Sequence, residues 1–239
     1  SDVCSSIYQK GKIVGFTKQD VTKHKTEKGH WSTVGSVTIG NKLFGQNVAE
    51  EVQRKKNVIV VTEGQWDCVS SFQALVDNVK GTKYEGLEPF VVSIPMGTGN
   101  AVEALLHNES FIQKYDGLCL FFDNDHSTPA ELKKGILKGK EAREAVASAF
   151  IGAGLSITTV IAEGEYKDAS DYLQDGESES LAKLIQFGKQ VYAAEKIVRA
   201  SEIDLEELLT PQKPGFMVKC FPKLMKGLNG LRESELTLF

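Results

Sequence analysis

No stretch of the chain approaches the roughly 20 consecutive apolar residues that a membrane-spanning helix needs. The first residues have neither the basic start nor the apolar segment of a secretory leader, so a cytoplasmic setting is expected. Cysteine is scarce: Cys4, Cys68, Cys119 and Cys220 lie far apart and form no CxxC pair. That spacing supports neither a disulfide framework nor a zinc ribbon, and the four are read as small apolar packing residues. His24, His30, His107 and His126 show no metal-ligand spacing. What is present is a 239-residue chain with 41% hydrophobic and 25% charged residues, enough for a sizeable core of one or two domains.

The net charge of -4 conceals an asymmetry, because residues 1–60 hold ten Lys/Arg against five Asp/Glu and the rest is strongly acidic. Screening cuts off distant charges within about 8–10 Å, so this basic segment can face a polyanion within an acidic protein. A solvated lysine-rich edge is the alternative.

Periodicity divides the chain. "SSIYQKGKIVGFTK" predicts two short strands around a Lys10-Gly11 turn and "STVGSVTI" a third. From Gln46 onward, helical stretches alternate with apolar strands: "QNVAEEVQRKK", "NVIVVTEG", "DCVSSFQALVDNVK" with Val69, Phe72, Leu75, Val76 and Val79 as its apolar stripe, "PFVVSIP", "NAVEALLHNESFIQKY", "GLCLFFDND", "GKEAREAVASAFIGAG", "LSITTVIA" and "DASDYLQ". This predicts an α/β fold with a mainly parallel sheet covered on both faces, whose ligands belong at the carboxyl ends of its strands. Beyond Gly176 the pattern is helical, including "ESLAKLIQFGKQVYAAEKIVRA", and "TPQKPGF" reads as a linker. The expected divisions are a basic β-rich part at 1–56, a central part at 57–176, a helical part at 177–209, and a linker with the start of a further domain at 210–239.

Acids stand at three of these strand ends. Glu63 follows "NVIVVT", with Gly64 permitting a sharp turn. Asp123 and Asp125 follow "LFF" and, two residues apart, point the same way. Lys167, Asp168 and Asp171 lie in "EYKDASDYL". Clustered carboxylates repel and raise one another's pKa unless a cation sits among them; a hard divalent ion such as Mg2+ suits carboxylate and water oxygens. For each acid taken singly, a helix cap or solvated loop is the competing reading.

These motifs, in this order, resemble the Toprim family and, within it, the RNA polymerase (primase) domain of phage-type bifunctional primase-helicases, relatives of the mitochondrial replicative helicase. "IYQKGKIVGF" resembles that family's basic hairpin, "NVIVVTEGQWD" its Glu motif, "VVSIPMGTGNA" its glycine loop, "LFFDND" its Asp pair and "EYKDASDYL" its Lys-Asp segment. "FPKLMKGLNGLRESELTLF" is similar to the stretch before such a protein's P-loop.

The resemblance implies a Toprim fold, preceded by the basic β-rich part, that makes short RNA primers from ribonucleoside triphosphates on single-stranded DNA with Mg2+ or Mn2+. It implies that Glu63, Asp123, Asp125 and Asp168 hold metal, that Glu63 alternatively acts as base toward the primer 3' hydroxyl, and that Lys167 touches phosphate. Asp67 matches a further acid. Lys10, Lys12, Lys18, Lys23 and Lys25 would line the template or triphosphate path, and Gly97 and Gly99 would let backbone N–H groups approach phosphate. The implied partners are the zinc-binding and helicase modules of a longer protein, and no membrane. The implied compartment is the host cytoplasm if a bacteriophage encodes it.

The family commonly has a second acid where Gln65 stands, and basic residues where Thr17 and Gln19 stand. An insertion follows Asp125, at 126–138, read as a solvated loop or a basic rim carrying Lys133, Lys134 and Lys138, with Lys140 beyond it. Trp31 and Trp66 are read as core residues, with base stacking as the alternative. His126 is read as an exposed loop residue, with phosphate donation as the alternative. The readings that compete with primer synthesis are a metal-dependent nuclease and a noncatalytic nucleic-acid-binding or helicase-coupling module.

Overall fold

The computed structural model describes residues 2–9, 11–20, 22–23, 30–52, 55–124, 138–192, 220 and 222–223. The chain forms two units, Ser1–Ala194 and Glu195–Phe239. In the second, Cys220, Pro222 and Lys223 are described, and all three are exposed.

Two antiparallel strands, β1 (Asp2–Gln9) and β2 (Lys12–Asp20), flank Gly11, whose positive φ of 76° suits the turn between them. β3 (Trp31–Gly35) adds to β2, giving a three-stranded sheet of order β1-β2-β3. The third strand is shorter than "STVGSVTI" predicts. It ends at Gly35, whose φ is 83° and whose site has no room for a Cβ, which would lie 2.5 Å from the Val14 carbonyl oxygen.

The first unit continues through α1 (Gln46–Glu51) into the five-stranded sheet. Its strands are β4 (Val58–Thr62), β5 (Val91–Ser93), β6 (Gly117–Phe121), β7 (Ser156–Thr159) and β8 (Gln190–Val191), in the order β5-β4-β6-β7-β8. The pairs β4–β5, β4–β6 and β6–β7 are parallel, whereas β8 runs antiparallel to β7. Continuous burial along β5 and β6 follows from helices covering both faces of the sheet. Those helices are α2 (Gln65–Asp77), α3 (Ala101–His107), α4 (Glu109–Ile112), α5 (Lys138–Phe150), α6 (Ala169–Gln174) and α7 (Ser178–Phe187). Two apolar clusters result, one around Ile59, Leu118, Leu120 and Phe122, the other around Val60, Phe121, Tyr172 and Leu181. Among the described residues, no helix is long and apolar enough to cross a membrane.

Four local differences from the sequence reading have physical causes. The stretch "NAVEALLHNESFIQKY" is two helices, because buried Asn108 ends the first, its Nδ2 donating to the Asn41 and Ala104 carbonyls at 3.0 Å each. The predicted helix over 179–200 stops at Gly188, and Gln190–Val191 pairs with β7 instead. The stripe of α2 is rotated: Cys68, Ser70, Ser71 and Ala74 are buried while Val69 is 46% exposed, so small side chains bring this helix close to its neighbours. Cys68 and Cys119 are buried as expected, but Cys220 is exposed and is no packing residue.

Candidate active site

The parallel register sets Thr62 beside Phe121, so β4 and β6 end side by side and deliver Glu63 and Asp123 to the same edge of the sheet. Phe122, fully buried, anchors the chain one residue before Asp123. The exit from β6 is fixed by Arg143 on α5, a buried guanidinium whose Nη1 donates to the Phe122 and Asp123 carbonyls at 3.1 and 3.4 Å. Gly139 lies against the same peptide: a Cβ there would stand 2.1 Å from the Asp123 carbonyl oxygen. Asn124 completes the clamp, its N–H donating to the Lys167 carbonyl at 2.8 Å and its side-chain amide to the Ala162 carbonyl at 3.2 Å. The loop after β7 is thereby tied to the end of β6.

This tie places Lys167 Nζ 2.8 Å from Asp123 Oδ2. Asp168 Oδ1 caps α6 by accepting from the Asp171 N–H at 3.0 Å, and Asp171 Oδ2 accepts from the Lys167 N–H at 2.9 Å. The capping reading of Asp168 is therefore observed.

Asp67 lies in the first turn of α2 and is buried. Its Oδ1 accepts from the backbone N–H and the hydroxyl of Ser170 at 3.2 and 2.9 Å. Burial first, then the charges of Asp168 and Asp123, push its carboxyl up to about 7, against the lowering effect of Ser170. Gly64 makes room for it, since a Cβ there would stand 2.6 Å from Asp67 Oδ2. Glu63, half-buried beside Gly64, has its Oε2 shielded from solvent.

Asp123 and Asp168 thus both lie within electrostatic reach of Asp67. Asp125, Lys10 and Lys25 lie outside the described residues, as do His24, His126, Lys133, Lys134 and most of the 126–138 segment. The donor set is all carboxylate, and the charges of Asp168 and Asp123, which come after burial in raising Asp67, are of the kind a hard cation offsets. Among the described residues, no three His, Cys, Asp or Glu side chains form a ready-made metal cage.

Beside the acids opens a cleft of about 690 Å³ between β2 and β3 on one side and α2 and α6 on the other. Thr17 and Gln65 exchange side-chain hydrogen bonds at 3.1–3.2 Å. Trp66 Nε1 donates to Gln19 Oε1, and Gln19 Nε2 lies 3.1 Å from His30 Nε2. Because Thr17 and Gln19 both face α2, the intervening Lys18 points to the other face of the sheet. Lys12 is exposed, and Lys23 pairs with Asp20 at 3.5 Å. Trp31 and Trp66, read from the sequence as core, are 49% and 42% exposed and line this cleft. Gly97, with φ 77°, precedes a short turn at Thr98–Asn100 that contains Gly99; Met96 before it also has a positive φ, 65°, a strained conformation for a non-glycine residue.

A mainly parallel sheet with acids at adjacent strand ends, preceded by a small antiparallel sheet, defines a Toprim-type α/β fold. It is the fold of DNA primase catalytic cores. The chain is similar to a DNA primase of Staphylococcus epidermidis, 26% identical over 189 residues that make up 78% of this chain and 27% of that protein. It therefore spans about a quarter of that relative's length. Among solved structures, the primase fragment of the bacteriophage T7 primase-helicase superposes with a TM-score of 0.54 at 20% identity, covering 77% of this chain and 62% of that one. A DNA primase domain from Pseudomonas aeruginosa gives 0.56 at 15% identity, covering 80% and 52%. No family model matches the chain.

Proposed function

We propose that this chain is the RNA-polymerising domain of a DNA primase, which joins ribonucleoside triphosphates into short primers on a single-stranded DNA template. The observation that carries this reading is the convergence of Asp67, Asp123 and Asp168 at the carboxyl edge of the sheet, with Lys167 against Asp123. In this reading Glu63, Asp123, Asp125 and Asp168 would hold Mg2+ or Mn2+, and Asp67 is a further acid of the site. When bound, such an ion lowers the pKa of an attacking hydroxyl and offsets charge on a transferring phosphoryl group. The chain's own residues do the positioning: Arg143 and Gly139 set the Asp123 peptide, Asp171 holds the Lys167 backbone, and the 44% exposed Lys167 ammonium, against Asp123, would meet a phosphate oxygen. Glu63 serves as a ligand or as the base toward the primer hydroxyl.

Lys10, Lys12, Lys18, Lys23 and Lys25 supply salt-dependent contacts to template or triphosphate, and the Gly97–Gly99 turn offers backbone N–H groups to phosphate. The zinc-binding and helicase modules of a longer protein would be its partners, and a cytoplasm its setting. The test is extension of a short RNA on single-stranded DNA with labelled ribonucleotides and either cation. Wild type extends, and the Asp123→Ala/Asp125→Ala double variant does not. Equal signals from both would refute the catalytic assignment, and cleavage of the labelled DNA would point to a nuclease.

A further inference from the structure

We infer that Trp31 and Trp66 form a stacking site for a nucleobase beside the carboxylate cluster; the inference rests on reading the cleft as a nucleotide path. Both indoles are about half-exposed although they line a cleft of about 690 Å³, which is costly apolar surface to leave wet on a free protein. They are also fixed. Trp31 is paired in register with Gln19, so the two share a face of the sheet. An indole N–H only donates, so Gln19 must turn its oxygen to Trp66 and its NH2 to His30, whose Nε2 accepts. His30, buried, packs against the Trp31 ring in a T-shaped pair, with centroids 6.1 Å apart and planes at 86°.

The chain Trp66–Gln19–His30–Trp31 therefore holds Trp66 at its N–H edge and packs Trp31 against His30 in a T-shaped pair, while about half of each indole stays exposed. Rigid aromatic surface of this kind suits a nucleobase, because every base has a π-face and stacking is tolerant of sequence. Asp67, Asp168 and Ser170 line the same cleft, so a base held there stands next to the acids. The template strand and an incoming ribonucleoside triphosphate both supply such a base.

Trp31 and Trp66 are the only tryptophans of the 239-residue chain, so its intrinsic tryptophan fluorescence reports on this cleft alone. Three probes are titrated into the chain: an oligodeoxythymidylate, an abasic strand with the same number of phosphates, and ATP. The oligonucleotide or ATP, or both, quenches the emission, and the abasic strand does not. Quenching by the oligonucleotide identifies a template base, and quenching by ATP a triphosphate base. Trp31→Ala and Trp66→Ala each weaken binding of the quenching probe about tenfold, the size of one lost base stack, while the Phe variants retain most of it. Thermal unfolding close to that of wild type confirms that the Ala variants are folded. Equal quenching by the abasic strand, or wild-type binding by both folded Ala variants, overturns the inference. A chain that makes primers without base-dependent quenching refutes the stacking site alone. A chain that makes none yet quenches with the base-bearing probes keeps the site and loses the primase reading.

Discussion

On one side of the cleft the carboxylates are those of Asp67, Asp168 and Asp171, carried by the first turns of α2 and α6 next to the carboxyl ends of the parallel strands. On the other, Gln19 and Trp31 of the three-stranded antiparallel sheet, with His30 beside them, reach across to Trp66 on α2. The acidic wall is held through peptide groups: Arg143, Asn124 and Gly139 all act on backbone around Asp123, whose carboxylate meets Lys167. The aromatic wall is held by side chains alone, through Gln19 and His30. The first arrangement suits a site whose geometry must not vary during a reaction, and the second a surface that accepts more than one base.

Removing one acid breaks the acidic wall with the largest effect. Asp123→Ala is expected to lower ribonucleotide incorporation by about 10²–10³-fold, the scale of a lost electrostatic group in an active site, with the far-ultraviolet circular dichroism of wild type. Next comes Asp67. Its folded carboxyl is raised to about 7 from 3.8, so the folded state binds the extra proton; its contribution to stability is fully present below about pH 4 and lost as pH rises through about 7. Asp67→Asn is therefore expected to be more stable than wild type above pH 7, by on the order of 4 kcal/mol, with the advantage gone below pH 4. Urea denaturation across that range measures it. Millimolar-scale Mg2+, added at the alkaline end, should raise the melting temperature of wild type more than that of the variant.

The two glycines under the acids separate backbone from side-chain support. A Cβ at Gly139 meets the Asp123 carbonyl, so Gly139→Ala should cost about 1–3 kcal/mol, read from the urea midpoint. A Cβ at Gly64 meets the end of the Asp67 side chain, which swings aside, so Gly64→Ala should cost under about 1 kcal/mol while still lowering incorporation. The smallest effect is expected at Lys18, which faces away from the cleft. Lys18→Ala should change single-strand affinity by no more than about threefold, with a slightly shallower salt dependence. A larger loss there than in Trp66→Ala would move the principal contact to the outer face of the sheet.

The sequence made the two walls unequally legible. Glu63 and Asp123 could be placed at strand ends because an acid after a run of buried apolar residues has no purpose in the strand itself, Asp168 only as part of the polar stretch after the last parallel strand, and period-two and helical patterns located every strand of the parallel part of the sheet. The antiparallel β8 was not readable, because two residues after Gly188 carry too little periodicity to compete with an amphipathic pattern that runs on past them. Trp31 and Trp66 were misread because aromatic residues are usually buried; the pairing of β3 with β2 and the Trp66–Gln19 hydrogen bond between α2 and β2 are what place them on a cleft. Thr17 and Gln19 stood where the resembled family has basic residues, and their alternation along β2 was the one available sign that both face α2. Arg143 gave no sign at all, since its role depends on a carbonyl about 20 residues away in sequence.

Template-dependent ribonucleotide incorporation across a Mn2+ titration tests the central claim most directly. Wild type should be inactive without the cation and gain activity as it is added, while Asp123→Ala stays at background throughout. Incorporation by wild type that is independent of the cation, or an Asp123→Ala curve that overlays wild type, would contradict the account.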